Sequence, residues 1–229
     1  MEKKTYTIAF AYPKGGVAKS HSANALGSYL STIAPTVIID MDSQCSASNS
    51  VLVEELPTAT SYELLKKEVS LEEVIAPTSD HYPENLFLIP GSPKLSRLDS
   101  ETAANFDRQF LMADALKESG DFIFKIIDCP SSVGINTVTS LVAATHVVAP
   151  VLCEPNAWEQ LSAFKELYEQ IKKRLNVHLT WVGILPTRFD GRNNLDQEIL
   201  NNLREEYGRF VFDPICSTVK LREALIAGK

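Results

Sequence analysis

Tyr12-Pro13-Lys14-Gly15-Gly16-Val17-Ala18-Lys19-Ser20 follows directly on an apolar run, Thr5-Tyr6-Thr7-Ile8-Ala9-Phe10-Ala11. β-Branched and aromatic residues in such a run fit a buried strand. A series at helical spacing, Ala23, Leu26 and Leu30, comes next. A glycine-rich turn between strand and helix, closed by Lys-Ser, lets backbone N–H groups converge on phosphate oxygens. The helix head at Lys19 adds the positive end of its dipole. The general form of such a loop is Gly-x4-Gly-Lys-[Ser/Thr], and Pro13 and Ala18 stand at its two glycine positions. A methyl group at position 18 calls for a negative φ or a slightly displaced loop. Lys14 is a second lysine, on the opposite lip, placed to reach a phosphate in a neighbouring molecule.

Read outward, the loop assigns roles. Gly15, Gly16, Val17 and Ala18 supply the cradle, Lys19 neutralises β- and γ-phosphates, and Ser20 offers a hydroxyl to Mg²⁺, which prefers oxygen ligands. His21 lies next to the phosphates or on the helix surface, and the four histidines share no spacing that suggests catalysis.

The rest of the chain alternates strands and helices. Apolar runs end in acid twice, at Thr36-Val37-Ile38-Ile39-Asp40 and at Phe122-Ile123-Phe124-Lys125-Ile126-Ile127-Asp128. Further strands are expected at 86–90, 144–151, 179–185 and 210–212. Helices are expected at 21–32, 61–67, 71–75, 106–118, 154–175, 194–207 and 219–227. Near-continuous apolar strands between helices imply an α/β fold, a mostly parallel twisted sheet with helices on both faces. The 229 residues suit one domain, 1–229. Ligands of such sheets sit at the carboxyl ends of the strands, where all these motifs fall.

In Asp40-Met41-Asp42-Ser43-Gln44, alternation puts Asp40 and Asp42 on one side of the chain. Beside a phosphate loop, two such carboxylates suit metal and water-orienting roles. Asp128 ends its strand in the Walker-B manner, where a carboxylate holds Mg²⁺, usually through water. The strand ends at 147–154 and 183–190 are candidates for nucleobase and dimer contacts, with Thr187, Arg188 and later Pro214 as base-site residues.

Composition narrows the class. A hydrophobic share of 45% supports a sizeable core, and no apolar run reaches a membrane span. The four cysteines form no Cys-x-x-Cys pair, so reduced, mostly buried thiols are expected rather than a zinc or iron–sulfur site. A net charge of −7 excludes a wholly basic nucleic-acid domain. The charge is uneven: residues 1–164 hold 11 basic and 20 acidic residues, and residues 165–229 hold 11 and 9. Polyanion contact is therefore expected in the C-terminal third.

These motifs, in this order, resemble the ParA/MinD/Soj group of deviant-Walker P-loop ATPases. The resemblance rests on Lys14 to Ser20, on Ile39 to Gln44 and on Ile127-Asp128-Cys129-Pro130-Ser131-Ser132. Segments 150–161, 190–194 and 219–224 support it. It implies ATP with Mg²⁺ as cofactors and a sandwich homodimer in which Lys14 crosses to the partner's nucleotide. Asp42 would help position the attacking water, and Asp40 and Asp128 would match the acidic residues around Mg²⁺. It also implies slow hydrolysis stimulated by a ParB-like partner and nonspecific DNA binding by the ATP dimer. Lys172, Lys173, Arg174, Arg192, Lys220 and Arg222 are the DNA candidates. A cytoplasmic, nucleoid-associated protein of the small ParA kind is expected, without the membrane helix of MinD and without an N-terminal helix-turn-helix. Ala18, Ser20, His21 and Ser43 depart from the family pattern and bear on hydrolysis rate more than on nucleotide binding. The alternatives are an ATP-binding metabolic enzyme on the same scaffold and a nucleotide-binding module without turnover.

Overall fold

The computed structural model describes residues 4–51, 57–117, 119 and 121–217. In chain order its elements are β1 (Tyr6–Phe10), α1 (Lys19–Ser31), β2 (Thr36–Asp40), α2 (Ser46–Val51), α3 (Ser61–Leu65), α4 (Leu71–Val74), β3 (Ala76–Pro77), β4 (Leu86–Ile89), α5 (Leu98–Glu101), α6 (Leu111–Ala115), β5 (Phe124–Asp128), α7 (Ile135–Ala143), β6 (His146–Leu152), α8 (Ala157–Arg174), β7 (Thr180–Phe189), α9 (Asn194–Tyr207) and β8 (Ile215–Cys216). The strands form one eight-stranded sheet in the order β3-β4-β2-β5-β1-β6-β7-β8. Every pairing is parallel except β3 with β4.

Strand alternation divides the core in two. Phe10, Ile38, Leu88, Ile126 and Val148 point to the α1–α2 side, where Ala23, Ala47 and Val51 meet them. Ala9, Val37, Ile39, Ile127 and Val147 point to the other side, against Leu65, Met112, Leu141, Leu161 and Phe164. Burial on both faces is why β1, β2 and β5 read as continuous apolar runs.

Several elements differ from the sequence expectation. The helix expected at 106–118 contracts to a 3-10 turn, Arg108–Phe110, and α6. Phe106 is 95% exposed, so it contributes no burial to start a helix. β7 runs on to Phe189, carried by its pairing with β6 as far as Thr187 and with β8 at Phe189. The strand expected at 210–212 is only a bridge from Val211 to Ile184, after a 3-10 turn at Gly208–Phe210. Cys129 and Cys153 are buried as expected, but Cys216 is exposed and Cys45 half-buried; all four are free thiols. The helix expected at 219–227, with Lys220 and Arg222, lies outside the described residues. Among the described residues no helix is long and apolar enough to cross a membrane.

Candidate functional site

Three neighbouring strands end at one level. The register pairs Phe10 with Asp128 and Asp128 with Asp40. The loop after β1 therefore leaves the sheet beside two carboxylates. Its course turns on two left-handed residues, Gly16 (φ 74°) and Ala18 (φ 60°, ψ 31°). The negative φ expected for Ala18 is not what the chain adopts. Ala18 caps α1 at the position where its carbonyl accepts from Ser22 N–H at 3.0 Å. The left-handed conformation accommodates the methyl at a steric cost of about 1–2 kcal/mol.

Lys19, at the first turn of α1, is 6% exposed. Burial lowers its pKa, opposed first by Asp128 and then by Cys129 and Asp42. Its Nζ donates to the Lys14 carbonyl at 2.7 Å, across the mouth of the loop.

The three aspartates have different environments. Asp128 is fully buried, and neither carboxylate oxygen meets hydrogen-bond geometry with a partner among the described residues, although the Ser20 hydroxyl lies close enough to favour the charged form. Burial pushes its pKa well above the usual carboxylate range; Asp40 adds to the rise, while Ser20 and Lys19 oppose it. An orphaned buried carboxylate is costly and is relieved by a cation. Asp40 is also fully buried but saturated. It accepts from Asp42 N–H at 3.0 Å, Ser48 N–H at 2.9 Å and Ser48 Oγ at 2.6 Å. Ser48 Oγ in turn accepts from Gly91 N–H at 2.9 Å. A Cβ on Gly91 would stand 2.9 Å from Asp40 Cγ, so only glycine allows that approach. Burial raises the pKa of Asp40, and the Ser48 and Asp42 hydrogen bonds pull it back. Asp42 is half-buried and closes a turn by accepting from Gln44 N–H at 3.0 Å.

Among the described residues no three His, Cys, Asp or Glu side chains gather as a metal cluster. Mg²⁺ keeps waters and takes one or two protein oxygens plus substrate phosphates. Asp128 with Ser20 offers such a pair.

The far strand ends reach the loop as well. Thr187, 1% exposed, donates its hydroxyl to Val17 O at 3.0 Å and Val151 O at 3.4 Å. Arg188, itself left-handed (φ 55°), donates to Gly16 O at 3.4 Å. Pro214 is half-buried between the Gly208–Phe210 turn and β8. His21 is half-buried, with Nε2 buried and unpartnered, and burial lowers its pKa. Tyr12 OH donates to Ala157 O at 3.2 Å, and Lys14 pairs with Glu154.

The basic candidates do not gather. Lys172, Lys173 and Arg174 close the C-terminal turn of α8, while Arg192 follows β7 and forms two hydrogen bonds to Asp190, at 3.0 and 2.8 Å. Helix α8 starts beyond β6 at the phosphate-loop end, and its 18 residues carry the three basic side chains about 27 Å along its axis from that start. Ser48 and Gly91 are site residues that the sequence gives no motif for, whereas Glu154 lies in the strand end 147–154 expected to supply nucleobase or dimer contacts.

A parallel sheet with a left-handed phosphate loop, a buried lysine at the helix head and an orphaned strand-end carboxylate defines a P-loop nucleoside triphosphatase. The family profile described as an AAA domain matches residues 5–181. The chromosome partitioning protein ParA of Myxococcus xanthus is 33% identical over 97% of this chain and 79% of its own. A putative plasmid partition protein of Borrelia burgdorferi, solved with AMPPNP, superposes with a TM-score of 0.82 at 26% identity, over 96% of this chain and 90% of its own. A cobyrinic acid a,c-diamide synthase of Mycobacterium smegmatis, solved with ADP and magnesium, gives 0.85 at 27% identity, over 98% and 91%. The chain belongs to the ParA/Soj family of partition ATPases.

Proposed function

We propose that the chain binds Mg-ATP in this loop, dimerises on it, binds DNA nonspecifically as the dimer and hydrolyses ATP to drive partition or cargo positioning. The observation that carries this reading is the Asp128 carboxylate, buried without a partner on the strand next to the loop that holds Lys19. Bound magnesium would neutralise charge on the transferring phosphoryl group. Lys19 would turn from the Lys14 carbonyl to the phosphates, Ser20 and Asp128 would hold the cation, and Asp40 fixes the turn that presents Asp42. Asp42 helps position the attacking water. Lys14 extends to the nucleotide of a second copy. Thr187 and Arg188 brace the loop from the base side, with Pro214 beyond them. Hydrolysis is slow until a ParB-like partner stimulates it, and the protein is cytoplasmic and nucleoid-associated while ATP-bound.

The Mycobacterium smegmatis synthase shares the scaffold, so a phosphate site alone does not select partition over metabolism. Lys14 on the rim and the identity to the ParA relative favour partition. Phosphate release is the test, measured with ATP, Mg²⁺ and duplex DNA in excess. Many phosphates per protomer are expected; release that stops at one or fewer rejects an ATPase.

A further inference from the structure

Lys14 is the point where the two lysines of the loop meet. Its carbonyl holds the Lys19 ammonium at 2.7 Å, and its own ammonium is paired with Glu154. Glu154 stands just beyond β6, where its N–H donates to Leu152 O at 2.9 Å and its carbonyl accepts from Ala157 N–H at 2.9 Å. The two segments are pinned to each other independently of the pair. Tyr12 OH donates to Ala157 O, Tyr12 packs edge-on against Phe164 at 5.9 Å, and Thr187 ties Val17 to Val151. Glu154 therefore meets Lys14 on a fixed frame, and little backbone ordering is spent on the contact.

From this geometry we infer that Glu154 is a positioning residue for Lys14. It holds the lysine on its own subunit until nucleotide and a second copy compete for it. The inference rests on the proposed role of Lys14 across a dimer. A lysine engaged with Glu154 lies against the start of α8 and cannot also extend to a partner's phosphate. Dimer formation breaks one such pair in each subunit. The pair is partly exposed, with side chains 25% and 49% accessible, so each should hold Lys14 back about 1.4- to 5-fold. Two pairs broken in one dimer give roughly 2- to 30-fold in the dimer dissociation constant.

Two readouts on Glu154→Gln test this. In nucleotide-free protein, trace acetylation of Lys14, referenced to Lys173 in the same sample, should rise by the single-pair factor. In sedimentation equilibrium with Mg²⁺ and the β,γ-imido ATP analogue, the variant dimer should be tighter than wild type by the squared factor. Glu154→Asp, shorter by one methylene, should fall between the two proteins in both assays. Unchanged acetylation, or a dimer equal to or weaker than wild type, overturns the role of Glu154 while leaving the dimer reading intact. A wild-type protein that stays monomeric with the analogue overturns the dimer reading instead, and the inference with it.

Discussion

Replacing Ala18 with glycine should not weaken the fold, although alanine to glycine in a helix costs stability. Ala18 sits at φ 60° and ψ 31°, where a Cβ crowds the following carbonyl by about 1–2 kcal/mol. Glycine removes that strain. Against it stand about 0.4–1 kcal/mol of added freedom in the unfolded chain and roughly 0.4 kcal/mol for losing a half-buried methyl. The sum lies near zero, between a small loss and about 1 kcal/mol of gain. Ala25 is the internal control, an exposed alanine in the middle of the same helix with ordinary helical backbone. Ala25→Gly should cost about 0.5–1 kcal/mol. The two variants should therefore differ by about 1 kcal/mol, or roughly 2–4 °C in melting temperature for a chain of this size. Calorimetry of the nucleotide-free proteins reads this directly. If Ala18→Gly melts as low as Ala25→Gly, the left-handed turn is absent and the cradle argument loses its geometry.

Further outcomes follow from the carboxylate and the basic helix end. A carboxyl whose folded pKa is raised binds more protons in the folded state, so its contribution to stability is present at low pH and lost as pH rises above about 4. Asp128 is such a group. Asp128→Asn should therefore flatten the fall in melting temperature above that pH, while weakening Mg²⁺-dependent nucleotide binding. An unchanged pH slope would count against the orphaned carboxylate. Lys173→Ala with Arg174→Ala should weaken ATP-dependent DNA binding and reduce the slope of log K against log salt by about 2. Arg192→Ala should do less, because its guanidinium is already held by Asp190. Fluorescence anisotropy across a salt series checks both, and an unchanged slope in the double variant removes the α8 end from the DNA surface.

The strands that build the site were readable because they are buried on both faces. Thr36 to Asp40 is five consecutive buried residues, and Val147 to Leu152 is six. Helix α2 was not readable. Its sequence, Ser46-Ala47-Ser48-Asn49-Ser50-Val51, carries no helical apolar period. A tertiary contact replaces that signal, since Ser48 in this helix donates twice to Asp40. The phosphate loop and its aspartates could be named from spacing because they are local in the chain. Their states could not. That Asp40 is saturated depends on Ser48 and Gly91, residues with no motif of their own, while Asp128 receives no such donors. The braces of the loop, Thr187 on Val17 and Glu154 on Lys14, join positions 170 and 140 apart in sequence. Only the parallel order of β1, β6 and β7 brings them together.

In the proposed cycle ATP joins two copies through Lys14. Sedimentation velocity of wild type and Lys14→Ala, each with and without Mg-ATP, tests it most directly. Wild type should move from monomer to dimer only with Mg-ATP, and Lys14→Ala should remain monomeric while still binding nucleotide. A Lys14→Ala protein that dimerises like wild type, or a wild type that Mg-ATP leaves monomeric, would contradict the account.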